Sequence, residues 1–388
     1  MTYEKKGNSN TPDPQKYRFG FILSTSLGNI TRYDIFKRFA ERDPDIDFSW
    51  APVKHYFSPK ETNPFKRFPR FIQNRAIVLY QALPVLRKLL NLDLVMIHLY
   101  EADVLTALRG YFSSSPLRVI SSDDAPASDP SRYPFHPIEL KKPAWRRAVR
   151  LKVDIWRARR ADLLIPFSRW AGELLVEGAG VDKDRVIPIH VGLDLSLWKY
   201  ESKCQQETGK PTKLLFVGGE FFRKGGGDLL TAVEGPLASM VELHIVTKTS
   251  LKNLPSNVYV YNDLNANDER LARLYREAEI LVHPTTSDLS PWVILEAMAS
   301  GCAVITTRVG GIVDFIDEGD TGLFVPVGDP TALAIAIKTL VTDPALRLGM
   351  GARARKNIEE SYDAEVNVKR ILRVLKDLVD QRRKRAPP

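Results

Sequence analysis

Short apolar runs alternate with amphipathic stretches along most of this chain, and the alternation stops once and then restarts. That pattern constrains the fold more than any other feature. In the first half the strand-like runs are Arg18–Ser24, Ile46–Ala51, Asp93–Leu99, Leu117–Ser122, Ala161–Phe167 and Arg185–His190. Helical periodicity lies between them at about residues 32–42, 71–90, 102–112, 145–160 and 169–178. Apolar strands separated by amphipathic helices build parallel sheets from βαβ units. A polar stretch, Lys199–Thr212, reads as a linker, and the alternation then resumes with Lys213–Val217, Val241–Val246, Val258–Val260, Ile280–His283, Ala303–Thr306 and Gly322–Val325. The expected fold class is α/β, with two doubly wound Rossmann-like domains facing each other across a cleft. Ligands of such sheets sit at the carboxyl ends of the strands. The expected division is a disordered lead-in (1–16), an N-terminal domain (17–198), a linker (199–212) and a C-terminal domain (213–365). A last helix (366–388), ending in a basic tail, is expected to pack back on the first domain.

The length of 388 residues suits two domains. Cys204 and Cys302 are too few for a disulfide framework and too far apart for a metal-ligand pair, which suits a reducing compartment. No run approaches the roughly 18–20 apolar residues that span a bilayer, and the polar N-terminus has no signal-peptide core, so the expected location is cytoplasmic or peripheral on the inner face of a membrane. Charge is uneven: residues 1–200 carry 32 Lys/Arg against 22 Asp/Glu, whereas residues 201–388 carry 24 against 25. An anionic partner is therefore expected to touch the first half only.

Three segments of the second half carry chemistry. In PTTSDLSPWVILEAMA (284–299) a strand ends at His283, Ser290-Pro291 has the form of an N-cap followed by proline at the first helical position, and Glu296 follows within the helix. Asp288 and Glu296 can thus face one cleft, beside a helix N-terminus suited to a diphosphate. A carboxylate at Glu296 can accept from both hydroxyls of a diol; the competing reading is a loop-capping acid and an exposed helix acid. RVGGIVDFI (308–316) places a Gly310-Gly311 turn after the next strand. LLFVGGEFFRKGGGDLLTAV (214–233) puts Arg223-Lys224 beside a glycine-rich strand-to-helix turn, which suits phosphate neutralisation, although the P-loop pattern is absent.

Taken in order, FVGG…RKGG, D-x7-E running into EAMASG, the GG turn and GDTGLFVPVGDP resemble the nucleotide-sugar domain of retaining GT-B glycosyltransferases of family GT4, over about residues 213–330. SSDDAP (121–126) resembles the SxDATP variant of one bacterial branch, and residues 167–198 resemble the approach to the family's linker. The resemblance implies a GT-B fold and a hexose moved from a nucleoside-diphosphate sugar, UDP- or GDP-linked, to a hydroxyl acceptor. It implies donor-ribose binding by Glu296 and a place near the transferred sugar for Asp288. Lys224, with Arg223, would neutralise the diphosphate. Backbone amides around Leu289, Ser290, Gly310 and Gly311 would cradle the sugar phosphate. In the first half it implies that Gly28 and Asn29 form a loop near the phosphate, and that Asp123 lies in the reaction centre where many relatives carry histidine. His98 ends a strand on the same side, where the alternative is a packed histidine. No cofactor or metal is implied. The sequence departs from the pattern at Asp288 (the family has Glu), at Gly219 (the family has Arg) and at Pro291 (the family has Gly).

The basic segment KKPAWRRAVRLKVDIWRARR (141–160) sets Trp145 among Lys141, Lys142, Arg146 and Arg150. On a helix this reads either as an interfacial element for an anionic membrane or lipid-linked acceptor, or as a packed helix with solvated arginines. Rival functions are a nucleotide-sugar epimerase on the same fold, a catalytically weakened relative, and a polyanion-binding protein. Nucleic acid is not the expected partner, since no helix-turn-helix, zinc-finger or RNA-binding signature is present.

Overall fold

The computed structural model describes residues 16–25, 29–54, 65, 67, 69–98, 116–123, 143–198, 200, 210–266 and 268–385. The lead-in, the helix expected at 102–112 and most of the expected linker lie outside these residues.

In the first half, strands β1 (Tyr17–Ser24), β2 (Ile46–Val53), β3 (Leu94–Ile97), β4 (Leu117–Ser122) and β5 (Leu163–Pro166) form one parallel sheet in the order β2-β1-β3-β4-β5. Helices α1 (Asn29–Ala40), α2 (Arg70–Arg87), α3 (Ala144–Arg159) and α4 (Arg169–Glu173) belong to the same half. The second sheet contains β6 (Thr212–Val217), β7 (Val241–Val246), β8 (Val258–Tyr261), β9 (Ile280–His283), β10 (Ala303–Thr307) and β11 (Gly322–Val325), in the order β11-β10-β9-β6-β7-β8. It is accompanied by α5 (Gly226–Ala232), α6 (Glu269–Glu277), α7 (Trp292–Ala299), α8 (Pro330–Thr342) and α9 (Pro344–Ser361). Strands β3, β5 and β9 are buried on all four residues. This is why they read as continuous apolar runs rather than as alternating ones.

One expected strand is corrected. Arg185–His190 runs beside β5, with the Ile187 and Ile189 amides donating to the Leu164 and Pro166 carbonyls at 2.9 Å, yet it makes only an isolated bridge at Val186. Pro166, the last residue of β5, has no N–H to donate to the Ile187 carbonyl, and this interrupts the ladder.

The last helix, α10 (Ala364–Arg385), returns to the first sheet. Its Val368, Ile371, Leu372, Leu375 and Val379 share a core with Phe19, Phe21 and Phe36. Lys376 bridges Asp43 and Asp45 at 2.8 and 2.9 Å, and the Tyr17 hydroxyl donates to Asp380. The crossing is pinned where the Leu193 amide donates to the Tyr362 carbonyl and the Ala364 amide to the Leu193 carbonyl. Gly192 (φ 84°) lies against that Tyr362 carbonyl, where a Cβ could not fit.

Strand order reverses at β1/β3 in the first sheet and at β6/β9 in the second. At such switch points the flanking loops diverge and leave a crevice for ligand. Both crevices open at strand carboxyl ends, and these ends meet: Ser168, after β5, lies against Gly311, after β10.

Candidate active site

The second crevice is built by the loops after β6 and β9. Gly225 takes a left-handed φ of 79°, and any Cβ there would strike the Pro284 carbonyl, so only glycine lets the two loops close. That closure sets the Lys224 ammonium in an ion pair with Asp288 Oδ2, the two side chains being 14% and 15% exposed. His283 Nε2 lies 3.3 Å from the same oxygen. Burial would raise the Asp288 carboxyl, but the His283 hydrogen bond and the Lys224 charge hold it well below the usual carboxylate range. Burial lowers Lys224 and His283 from their ordinary values, with Asp288 opposing both. Arg223 donates from Nε to Glu220 Oε2 at 2.6 Å and from its guanidinium to the Ser287 carbonyl. The crevice thus holds a fixed cation pair and one firmly ionised carboxylate.

Glu296, on α7, accepts a 2.7 Å hydrogen bond from the hydroxyl of fully buried Tyr275. Burial pushes the Glu296 carboxyl up to about 7, against the pull of that bond. Tyr275 was missed by the sequence reading because an aromatic on an amphipathic helix looks like core. His283 was read only as the end of a strand, although a polar residue closing an apolar run was a usable signal.

Two local expectations are revised. Helix α7 begins at Trp292, with Pro291 rather than Ser290 at its N-cap and no side-chain cap. Ser290 is held elsewhere: the Gly192 amide donates to His190 Nδ1 at 2.9 Å, so His190 carries its proton on Nε2 and donates to Ser290 Oγ at 3.2 Å. Burial drives His190 down to about 3, which keeps it neutral. At the GG turn, the Gly311 amide donates to the Leu289 carbonyl at 2.8 Å, and the Leu289 amide to Asp288 Oδ1 at 3.1 Å. Cβ atoms at Gly310 and Gly311 would run into the Asp288 and Leu289 carbonyls. These glycines therefore first serve to let two loops of the chain meet; amides at Leu289 and Gly311 reach a ligand only by exchanging these bonds.

In the first crevice, Asp123 lies 3.8 Å from both His98 Nε2 and the Arg32 guanidinium. Burial alone would raise it, but His98 and Arg32 hold it near 2. Asn29 opens α1, and its Oδ1 accepts from Arg32 at 2.7 Å. The residues around Arg32 line a small cavity partly open to solvent, including Ser24, His98, Ser121 and Phe167. Gly28, Lys141 and Lys142 lie outside the described residues. Helix α3 forms as expected, and its two ends differ: Trp145 and Val149 are 64% and 54% exposed, whereas Ile155 and Ala158 join a core with Ala161 and Leu164. Arg146 and Arg150 sit on the exposed part. Among the described residues, no helix is long and apolar enough to cross a membrane, and no cluster of His, Cys, Asp or Glu is arranged to hold a metal ion.

Residues 211–343 match the family model described as glycosyl transferases group 1. The glycogen synthase of Mycobacterium tuberculosis is 26% identical over 226 residues, 54% of this chain and 53% of that protein. The D-inositol 3-phosphate glycosyltransferase of Corynebacterium efficiens is 28% identical over 204 residues, 46% and 48% of the two chains. The matches thus span about half the length of these curated relatives. Among solved structures, the sucrose-phosphate synthase of Thermosynechococcus elongatus superposes with a TM-score of 0.74 at 18% identity, covering 94% of this chain and all of that one. Anabaena Alr3699/HepE, solved in complex with UDP-glucose, superposes at 0.66 with 15% identity, covering 93% and 99%. The two parallel sheets and this likeness establish the fold as GT-B.

Proposed function

We propose that this chain is a retaining glycosyltransferase that moves a hexose from a nucleoside-diphosphate sugar to a hydroxyl acceptor. One observation carries the reading: the Lys224–Asp288 pair and the loop leading to Glu296 share a single switch-point crevice, within the segment that matches glycosyl transferases group 1. The structural neighbour Anabaena Alr3699/HepE was solved with UDP-glucose, which supports a nucleotide sugar as the donor. Glu296 would accept the donor ribose hydroxyls, positioned by Tyr275. Lys224 and Arg223 would stabilise charge on the leaving diphosphate, at a site whose donors are already fixed by Asp288 and Ser287. Asp288 would sit near the transferred sugar. Asp123, ionised in the facing crevice, would accept from an acceptor hydroxyl. The chemistry asks for positioned cations rather than a metal. Calorimetry of UDP, GDP and their sugars tests the donor site: binding of one nucleotide is expected, and binding of none overturns the reading.

Gly219 stands where the resembled family has arginine, yet the place for a side chain remains: a Cβ there meets nothing within 4 Å. Gly219→Arg is expected to fold with stability within about 0.5 kcal/mol of wild type, as for ordinary surface changes. The added cation is expected to tighten nucleoside-diphosphate binding several-fold in calorimetry. A loss of affinity would place the diphosphate elsewhere.

The acceptor is proposed to be lipid-linked, with the protein peripheral on an anionic membrane. The support is the exposed amino-terminal part of α3, where Trp145 and Val149 stand among arginines and join no core cluster among the described residues. Since α3 runs back to the start of β5, that end lies on the carboxyl-end side of the first sheet, beside the cleft. Flotation with vesicles containing phosphatidylglycerol is expected to recover the protein, and Trp145→Ala with Arg146→Ala to reduce recovery roughly ten-fold, given about 1 kcal/mol per basic contact plus the lost indole. Equal recovery of both proteins would leave α3 as a solvated helix.

A further inference from the structure

Arg32 is a buried cation whose donors are mostly unfilled. It projects from α1 with only 5% of its surface exposed. Its guanidinium stacks 4.0 Å over the Phe167 ring and lies 5.7 Å from the ring of Trp292, the first residue of α7 in the second half. One of its nitrogens donates to Asn29 Oδ1 at 2.7 Å, and the same nitrogen lies 3.8 Å from Asp123, too far for a hydrogen bond. Nε is buried without any hydrogen-bond partner. A guanidinium carries five N–H donors in a fixed fork, and leaving a buried donor unmet is costly. Arg32 is among the residues lining the small, partly open cavity, whose other walls are largely apolar, among them Leu23, Phe36, Met96 and Val191.

We propose that Arg32 is an oxyanion receptor in the cleft, taking a phosphate or carboxylate group through the vacant side of its fork. The planar fork matches two oxygens of such a group, and the apolar walls strengthen the pairing by excluding water. Asp123 balances the charge without filling the fork, which leaves Nε for the ligand. Two sources share this chemistry. One is the diphosphate of the donor, since Trp292 opens the helix beside the donor crevice; the other is an anionic group carried by the acceptor. The subsite deepens the transferase reading and rests on it for the choice of these two ligands.

Calorimetry and thermal shift with inorganic phosphate and with UDP, on wild type, Arg32→Gln and Arg32→Lys, test it. Lysine keeps the charge but not the fork, and circular dichroism confirms folding; if Arg32→Gln does not fold, Arg32→Lys carries the test. Phosphate is expected to bind wild type and to bind each folded variant at least ten-fold more weakly. An equal loss of UDP affinity assigns the subsite to the donor diphosphate. Unchanged UDP affinity, with phosphate binding in the presence of saturating UDP lost, assigns it to the acceptor. Phosphate and UDP binding that match wild type in the folded variants would overturn the inference, as would wild type that binds no phosphate with or without UDP. A Glu296→Gln control separates the two failures: if it leaves UDP binding intact, the donor-site reading falls whatever Arg32 does.

Discussion

Glu296→Gln is expected to weaken nucleoside-diphosphate binding about 30- to 100-fold, because two hydrogen bonds to a charged acceptor contribute about 2–3 kcal/mol more than their neutral counterparts. Glutamine is the informative replacement, since its carbonyl still accepts from the Tyr275 hydroxyl, which alanine would leave buried and unpaired. The melting temperature should therefore hold or rise slightly. The sign follows from the pH linkage. Burial raises the Glu296 carboxyl from 4.5 to about 7 in the folded chain. Between those values the native state binds a proton that the unfolded state has released, so stability falls as pH rises from about 4.5 to 7, and the loss is complete above 7. Glutamine removes that loss. Ligand binding should run the other way: the ionised form accepts both ribose hydroxyls, so affinity for UDP or GDP should climb from pH 6 to pH 8 and then level off. Isothermal calorimetry across that range checks both parts. A flat profile in wild type, or one that persists in Glu296→Gln, would remove Glu296 from the ligand.

The same pair of residues shows what was and was not legible in the sequence. Strands β4, β7, β9 and β11 have the bounds the apolar runs suggest, because largely buried parallel strands are dominated by apolar side chains. That Lys224 and Asp288 fall in the turns after β6 and β9, and Glu296 on the helix that follows, was legible from the strand-to-helix pattern. The Tyr275 contact was not, since it depends on a hydroxyl reaching 21 residues along the chain to Glu296, and nothing local distinguishes it from a packing aromatic. Ser290 was misread for the same reason: its N-cap signature is local, whereas the His190 that captures it lies 100 residues away across the joint between the two halves. Arg32 shows the limit most plainly. Nothing in its local pattern sets it apart from other helix cations, whereas in the fold it is buried, with Phe167 and Trp292 from distant segments beside its guanidinium. Local pattern specifies elements; contacts between the halves specify which polar groups are taken and which stay open.

Lys224→Met is expected to damage both stability and catalysis, and a second substitution separates them. Removing the ammonium leaves the Asp288 carboxylate mostly buried with the His283 ring and the Leu289 amide as its remaining close partners, at a cost of up to about 3–5 kcal/mol for a broken buried pair. Lys224→Met with Asp288→Asn removes both charges and should recover most of that loss, because a neutral pair needs no desolvation to be repaid. Transfer should not recover with it. If Lys224 stabilises charge on the leaving diphosphate, its loss lowers turnover about 10²–10³-fold in either background. Asp288→Asn alone keeps the cation and releases it from its ion pair, so it should retain more activity than either variant lacking Lys224. Were the pair purely structural, activity would follow stability and return in the double variant. Thermal denaturation and donor turnover, measured on all three proteins, therefore decide whether the ammonium at the β6/β9 switch point holds the loops together or acts on the substrate.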